Sequence, residues 1–422
     1  MKIMIANYRG IVIAGLLFFS LNASGQSWQV FDMNNSSLPS DRVNAITHDI
    51  YNNIWVGTDW GLAKYDGMDW EIFQIGNSQI VDNDIRALAF DHLGRLFIGT
   101  AQSGLIIKDG SNWTVLDPGN SPLPDYQVRC LTIEPNGVAW IGTVEGLAWY
   151  DGIEWRIYND QDISYNGLEL PSNNIATIEI RNDGLKCIGT LNGGFTYLTD
   201  STVTVFNTFD NNLPDNTALG VTIDQNGDRW AACPAGALLR HGGPHDAGVW
   251  LQYSTISSGI PTNSLSDIVI DNNDTKIIAT QLAGIAMFSG LSNWVVFDEM
   301  NSDLPDNYVL TLHLDSTQSL WAGTETGGLA KYDHINGMIE TNELNIWAYP
   351  TVADQFLIIE APSLKGNATY VILDELGRVV QKGSLTSPIS TLNVNALGSG
   401  SYFVRVWDKE SVGILRFQRQ KQ

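Results

Sequence analysis

The sequence predicts an all-β protein, a seven-bladed β-propeller followed by a small β-sandwich. A short phrase built around a Gly-Thr pair returns every 42 to 47 residues. Each unit holds four short runs of β-branched and aromatic residues, separated by Gly or Asn-Gly. No sustained helical period follows the first 25 residues. Repeats of this length with four strands each are typical of propeller blades.

The first 25 residues read as a signal peptide. Lys2 and Arg9 precede an apolar run over residues 11–21, and small residues follow at 23–25. This pattern predicts cleavage before Gln26, the alternative being an uncleaved anchor. No cysteine follows the run, and no later segment is long and apolar enough to cross a bilayer. We therefore expect a mature chain without a transmembrane segment.

The repeat defines four runs per blade, here named A to D. The Gly-Thr pair ends each B run. The first position of the pair is occupied by Gly57, Gly99, Gly142, Gly189, Ala232, Ala279 and Gly323. Seven A–B–C sets occur, but no D run follows the last set. A D-like run, Trp28-Gln29-Val30-Phe31, instead precedes the first set. We therefore predict that this N-terminal strand completes the last blade and leaves no open sheet edge.

The repeat ends before residue 334, which sets the predicted domain organisation. Residues 26–333 are assigned to the propeller, 334–342 to a linker and 343–422 to a sandwich. Candidate strands of the sandwich are residues 356–361, 368–374, 379–382, 389–394, 401–407 and 413–417. Six short strands in about 80 residues favour two packed sheets.

The repeat phrase resembles the two-component regulator propeller repeat. Its elements are Leu38-Pro39, then Trp55-Val56-Gly57-Thr58, then a Gly-Leu-x-x-Tyr-Asp-Gly stretch over residues 61–67. The resemblance covers roughly residues 28–333 and implies a propeller. In that family such repeats often form the periplasmic sensor of a hybrid kinase. That signalling role does not transfer whole, because the sequence predicts neither a membrane span nor a kinase.

The C-terminal region resembles the type A sorting domain of type IX secretion, as found in secreted Bacteroidetes proteins. The matching residues are Tyr349-Pro350, the stretch Gly377-Arg378-Val379-Val380, and Gly400-x-Tyr402-Phe403-Val404. The resemblance implies an export address read by the type IX machinery, and a secreted or outer-surface location. The alternative is an adhesive or stabilising sandwich.

The charge of the chain limits which partners it can bind, and the cysteine pattern bears on disulfide bonds. There are 46 acidic and 23 basic residues, giving a net charge of −23. Nucleic acid is excluded as a partner, since phosphate binding needs basic patches. Cys130, Cys187 and Cys233 fall in predicted strands, so we expect buried free thiols and no disulfide framework.

No catalytic or cofactor motif is legible, so the sequence predicts a non-enzymatic protein without cofactor or metal. His241 and His245 could hold a metal, but no third ligand lies nearby. The stretch 224–228 resembles the start of a calcium loop, although a plain A–B turn is the favoured interpretation. The D-run tryptophans recur once per blade, which favours core packing over a carbohydrate platform.

The D–A and B–C loops should share one face beside the central channel. Residues there that break the repeat are the predicted ligand-binding set: Trp60, Arg42, Arg86, Tyr126, Arg129, Glu145 and Tyr308, with Gln102 and Asn192 as further candidates. Two functions stay open. The first is binding of an extracellular glycan, peptide or protein without catalysis. The alternative is a secreted lyase or hydrolase with its site at the channel mouth.

Overall fold

The structure is a computed structural model that describes residues 28–160, 170–181, 184–199, 203–209, 213–242, 250–289, 293–332, 342–343, 347–349, 352–361, 368–374, 379–407 and 411–420. The predicted signal peptide and nearly all of the predicted linker lie outside these residues. Within these ranges, no helix is long and apolar enough to cross a membrane.

Seven four-stranded antiparallel sheets form the blades. Blades 1 to 3 contain β2 (Val43–His48), β3 (Ile54–Thr58), β4 (Gly61–Tyr65) and β5 (Trp70–Phe73); β6 (Ile85–Phe90), β7 (Leu96–Thr100), β8 (Leu105–Asp109) and β9 (Asn112–Leu116); β10 (Val128–Ile133), β11 (Ala139–Thr143), β12 (Leu147–Tyr150) and β13 (Trp155–Tyr158). Blades 4 and 5 contain β14 (Ile175–Ile180), β15 (Lys186–Thr190), β16 (Phe195–Leu198) and β17 (Val203–Phe206); β18 (Gly220–Ile223), β19 (Arg229–Cys233), β20 (Ala237–His241) and β21 (Trp250–Tyr253). Blades 6 and 7 contain β22 (Leu265–Ile270), β23 (Lys276–Thr280), β24 (Ile285–Ser289) and β25 (Asn293–Phe297); β26 (Val309–Leu314), β27 (Leu320–Thr324), β28 (Leu329–Tyr332) and the N-terminal β1 (Trp28–Phe31).

The N-terminal strand closes the ring, which confirms the seven-bladed prediction. β1 pairs with β28, with Trp28 opposite Tyr332 and Phe31 opposite Leu329. The Trp28 ring packs against Tyr332 and against Phe297 of blade 6, with centroids 4.9 and 5.9 Å apart. The A strands are neighbours around the whole ring, including β2 and β26 of the first and last blades.

Polar contacts reinforce the seam between blades 7 and 1. The imidazoles of His48 and His313 share a hydrogen bond, with Nδ1 and Nε2 2.7 Å apart. Burial, followed by the neighbouring His48, lowers the pKa of His313 to about 3. The backbone N–H of Ser316 donates to the Asn52 side chain over 3.0 Å. The seam therefore joins both ends of the repeat array through side chains as well as through the β1–β28 ladder.

The recurring threonine holds the B–C turn. In six blades its hydroxyl donates to the carbonyl of the glycine at the start of strand C, as Thr58 does to Gly61 over 2.8 Å and Thr143 to Gly146 over 2.7 Å. These threonines are fully buried. The same hydroxyl accepts a loop N–H, such as that of Trp60. Blade 5 has Cys233 in this position and lacks the bond.

The recurring glycine makes room for the next blade. A Cβ on Gly99 would lie 2.5 Å from Cγ1 of Val128, and one on Gly323 would lie 2.5 Å from Cγ1 of Val43. Real Cβ atoms do not approach other atoms this closely, so a side chain here would push adjacent blades apart. The Gly-Thr pair therefore couples a turn bond within a blade to close packing between blades.

Acidic residues organise the A–B turns. Asp224 accepts the backbone N–H groups of Asn226 and Asp228 and the indole N–H of Trp230. Lys276, from the next blade, pairs with the Asp224 carboxylate over 3.3 Å. Residues 224–228, which resemble the start of a calcium loop, therefore form a turn in which the Asp224 carboxylate already bonds to other protein groups.

The cysteines and the D-strand tryptophans take part in packing. Cys130, Cys187 and Cys233 lie in β10, β15 and β19 as free thiols, Cys130 only partly buried and the other two buried. Four D-strand tryptophans are partly buried against the interblade clusters: Trp70, Trp113, Trp155 and Trp294. This contact agrees with a packing role.

The C-terminal unit is a two-sheet sandwich. Its strands are β29 (Asn342–Glu343), β30 (Trp347–Tyr349), β31 (Val352–Ala353), β32 (Phe356–Glu360), β33 (Ala368–Asp374), β34 (Val379–Leu385), β35 (Ile389–Asn393), β36 (Gly400–Trp407) and β37 (Ser411–Arg419). One sheet has six strands and the other has three, in the order β30-β32-β35. The first strand begins at Asn342, one residue inside the predicted linker. Arg419 is buried and donates to the Val394 carbonyl and to Asp354.

Candidate functional site

The channel end beside the D–A and B–C loops holds a cavity of about 540 Å³. Its wall consists of A-strand residues, the loop residues that lead into them, and Gln281 of the blade 6 B–C loop. A β-bulge interrupts the A–B pairing in six blades, always after the first A residue: in blade 1, Val43 opposes Thr58 and Ala45 opposes Gly57, which leaves Asn44 unpaired. A bulge redirects a side chain out of the regular alternation.

The bulge position supplies one wall residue from every blade. Around the ring these residues are Asn44, Arg86, Arg129, Ala176, Leu219, Ser266 and Leu310. In blade 5 the equivalent Leu219 precedes the strand, and its N–H donates to the carbonyl of Ala232. Asn44 and Ser266 bond to the first A-strand carbonyl of the next blade. Arg86 and Arg129 occupy this position on the adjacent blades 2 and 3, so the charged residues of the bulge position lie on one side of the cavity.

The predicted arginines meet at this cavity together with Tyr308. Arg42 is paired with Glu325 of blade 7, and its Nε donates to Asn44 over 3.1 Å. Arg86 pairs with Asp84 over 2.6 Å. Arg129 has no carboxylate partner in the part of the chain that the structure describes. Burial lowers the pKa of Arg129, and the adjacent charge of Arg86 lowers it further.

Two carboxyl groups lie deeper in the ring. Asp267 lines the cavity and accepts the backbone N–H groups of Ile268 and Leu312, each over 2.8 Å. Burial raises the pKa of Asp267 to about 6. Burial, followed by the charge of Asp267, raises the pKa of Glu179 to about 7. Glu179 therefore carries only part of a negative charge at neutral pH.

The other predicted residues lie on the loops around the cavity and are not part of its wall. Trp60 is 62% exposed on the B–C loop of blade 1, where its carbonyl accepts the side-chain N–H of Gln74 over 2.6 Å. Tyr126 is 46% exposed in the D–A loop before blade 3. Exposed B–C loop positions hold Gln102, Glu145 and Asn192. These residues form a rim that is separate from the cationic wall.

Sequence reasoning missed several residues of the wall: Asn44, Gln127, Ser266, Asp267 and Gln281. Asn44 and Ser266 share a repeat position with Arg86 and Arg129, so aligning the A runs residue by residue was the signal that could have found them. Asp267 lies one residue after the bulge, where the other blades hold Ala45, Ala87, Cys130, Thr177, Gly220 and Thr311, so the same alignment would have singled out this carboxylate.

The suggested metal site gains no support from the described residues. His241 is buried beside the rings of Tyr197 and Phe206, whereas His245 lies outside the described residues. No group of three or more His, Cys, Asp or Glu side chains within the described ranges is arranged to hold a metal ion.

Seven blades around a lined channel, followed by a two-sheet sandwich, define a β-propeller with a second, C-terminal β domain. Residues 37–60 match the family described as two component regulator propeller. Residues 347–417 match the secretion system C-terminal sorting domain. Both resemblances read from the sequence are thereby confirmed. The sorting domain implies a secreted or cell-surface protein that interacts with the secretion machinery. No curated protein compared with the chain matches it.

Solved structures share the fold at low identity. The extracellular domain of a hybrid two component system from B. thetaiotaomicron is 17% identical with a TM-score of 0.64, covering 93% of this chain and 57% of that one. PorZ, a surface component of the type-IX secretion system of Porphyromonas gingivalis, is 19% identical with a TM-score of 0.56, covering 93% and 60%. Virginiamycin B lyase from Staphylococcus aureus is 12% identical with a TM-score of 0.57, covering 74% and 100%. The chain thus spans somewhat over half the length of the first two.

Proposed function

We propose that the propeller binds an extracellular ligand without turning it over, at the face formed by the D–A and B–C loops. The observation that carries the proposal is that Arg42, Arg86, Arg129 and Tyr308, which come from four different blades, line a single cavity that lies beside those loops. A closed ring of blades is a rigid frame, so loop side chains can be placed without disturbing the core. The ligand is a glycan, a peptide or a protein.

The loops around the cavity also expose apolar side chains. In the D–A and B–C loops the exposed large apolar residues are Met33, Trp60, Ile75, Val81, Tyr126, Phe209, Ile256, Leu282 and Met300. A ligand that spans several of these loops would cover such side chains and gain from their burial. Two hydrogen bonds fix the backbone of Trp60: its N–H donates to the Thr58 hydroxyl, and its carbonyl accepts the side-chain N–H of Gln74. Its exposed ring therefore projects from a fixed loop.

The test is a glycan and peptide array screened with the purified protein, followed by Trp60→Ala on the best binder. If Trp60 is an anchor, affinity should fall by roughly 1–3 kcal/mol, while the melting temperature stays nearly unchanged because the ring is exposed. Tyr51→Ala is the matched control, since Tyr51 is 80% exposed on an A–B turn at the opposite end of the blades. Unchanged affinity in Trp60→Ala would remove this residue from the site.

The second candidate function is a lyase or hydrolase, and one observation favours it. Glu179 and Asp267 have raised pKa values of about 7 and 6, and coupled carboxyl groups that titrate near neutrality are typical of acid–base pairs. One structure of similar fold is a lyase. Cleavage of a polysaccharide by the purified protein, abolished by Glu179→Gln, would establish this function and overturn the binding proposal.

A further inference from the structure

Two neighbouring arginines hold like charges at the channel mouth. Arg86 and Arg129 occupy the same bulge position on adjacent blades and both line the cavity. They are close enough for the charge of Arg86 to act on Arg129. Like charges repel each other, and they do so more strongly where protein replaces water. The pairing therefore costs free energy in the unliganded protein.

Neither guanidinium is fully satisfied by the protein. The Nε of Arg86 and the Nε of Arg129 are both shielded from solvent and have no acceptor among the described residues. Asp84 neutralises part of Arg86, whereas Arg129 has no such partner within the described ranges. Buried donors on a charged group that lack acceptors are costly and rare in native proteins. An acceptor supplied from outside would relieve both the missing hydrogen bonds and the repulsion.

The fold does not require arginine at these places. The same bulge position holds Asn44, Ala176, Leu219, Ser266 and Leu310 in the other five blades, with the same blade architecture. The other charged groups of the wall are already compensated: Arg42 by Glu325 and Asp267 by two backbone N–H groups. The uncompensated charge is thus confined to one arc of the cavity.

We propose that Arg86 and Arg129 form an oxyanion-binding site, which receives a carboxylate, sulfate or phosphate group of the ligand. The planar fork of a guanidinium presents paired donors that match two oxygens of such a group. Two forks on adjacent blades would hold the anion from one side. The cavity of about 540 Å³ leaves room for the chemical unit that carries the anion. This inference rests on the proposed function, since it assigns the chemistry of the same face.

The test uses thermal unfolding of the full chain in acetate, sulfate or phosphate, against chloride at equal ionic strength. Sulfate and phosphate also stabilise proteins by exclusion from the surface, so the informative quantity is the difference between variants. Arg129→Gln and Arg86→Gln should lose the site-specific part of the melting-temperature increase. Arg156→Gln is the matched control, because it removes one charge from β13, where Arg156 stacks on Trp149 with its guanidinium carbon 4.0 Å from the ring centroid. It should respond like the wild type.

The free protein supplies a second readout. Removing one of two repelling charges should leave the melting temperature of Arg129→Gln in chloride equal to or above that of the wild type. A purely structural arginine would behave in the opposite way. A lower melting temperature in chloride, or an equal anion response in all variants, would overturn the proposal. The anion that shifts the wild type most relative to Arg129→Gln identifies whether a carboxylate or a tetrahedral group is preferred.

Failure of this inference is distinguishable from failure of the proposed function. If a ligand from the array binds the wild type and both glutamine variants equally, the oxyanion site is wrong and the binding function stands. If the anions act through Arg86 and Arg129 but no array ligand binds, the site stands and the broader proposal fails. When both hold, each glutamine variant should weaken the ligand roughly tenfold or more, the worth of a hydrogen bond to a charged group.

Discussion

Replacing Trp28 by alanine should loosen β1 from blade 7, where the N-terminal strand closes the ring. The side chain is 7% exposed, and it packs between Tyr332 and Phe297. An aromatic side chain buries about 150–250 Å², which at about 25 cal/mol per Å² corresponds to about 4–6 kcal/mol. That value is an upper bound, because the unfolded chain already hides some of this area. Measured losses for buried Trp→Ala changes are about 3–5 kcal/mol, so we expect about 4 kcal/mol.

Urea unfolding followed by circular dichroism measures the loss, and hydrogen exchange of the β28 amides locates it. Trp294→Ala is the control, because that tryptophan is only partly buried, on the D strand of blade 6. Trp28→Phe separates packing from hydrogen bonding: the indole N–H of Trp28 has no acceptor among the described residues, so phenylalanine should be tolerated better than alanine. If Trp28→Ala costs no more than Trp294→Ala and leaves the β28 amides protected, closure by the N-terminal strand contributes little and the reasoning is refuted.

Four further outcomes are expected. Thr143→Val should cost about 1–3 kcal/mol, because it strips a buried turn of its hydroxyl bond; the exposed Thr114→Val in a D strand should change stability little in the same urea titration. The pKa of His313 lies at about 3 when folded and 6.5 when unfolded, so the unfolded chain binds the extra proton and stability falls as the pH falls. From pH 6.5 to 5 the wild type should lose about 1.6 kcal/mol more than His313→Asn in urea titrations, and an equal loss in both proteins would contradict this. Arg419→Ala should lower only the sandwich transition in calorimetry, by about 1.5–3 kcal/mol, since its buried bonds lie within that unit. Deleting residues 342–422 should leave a folded propeller retained in the periplasm, and normal levels in the medium would contradict the export role.

The repeat made the fold and part of the site predictable from sequence. No D run follows the last A–B–C set, and a spare D-like run begins at Trp28. The prediction that this run completes blade 7 is confirmed, because β1 pairs with β28. Arg42, Arg86 and Arg129 were selected because they broke the repeat near the channel, and all three line the cavity, but Arg86 and Arg129 lie at the bulge position of β6 and β10 and not in loops as predicted. Asn44 and Ser266 were missed because their role depends on the bulge, and a bulge is a property of pairing register that no local pattern reveals. The strands at Asn342–Glu343 and Val352–Ala353 were missed because two residues cannot display an alternation.

The repeated bulge marks positions where the propeller tolerates different side chains, in contrast to the glycines that pack between blades. One methyl group at Gly99 would collide with the next blade, whereas the bulge position holds side chains as different in size as those of Ala176 and Arg129, because it lines the cavity. Seven such positions surround the same cavity, one per blade. Two of the seven side chains, Asn44 and Ser266, also bond to the next blade. A lineage could therefore exchange its ligand through point substitutions at the other five sites while every blade interface stays intact. The same five codons are the natural targets for a library in which new recognition is selected on an unaltered scaffold.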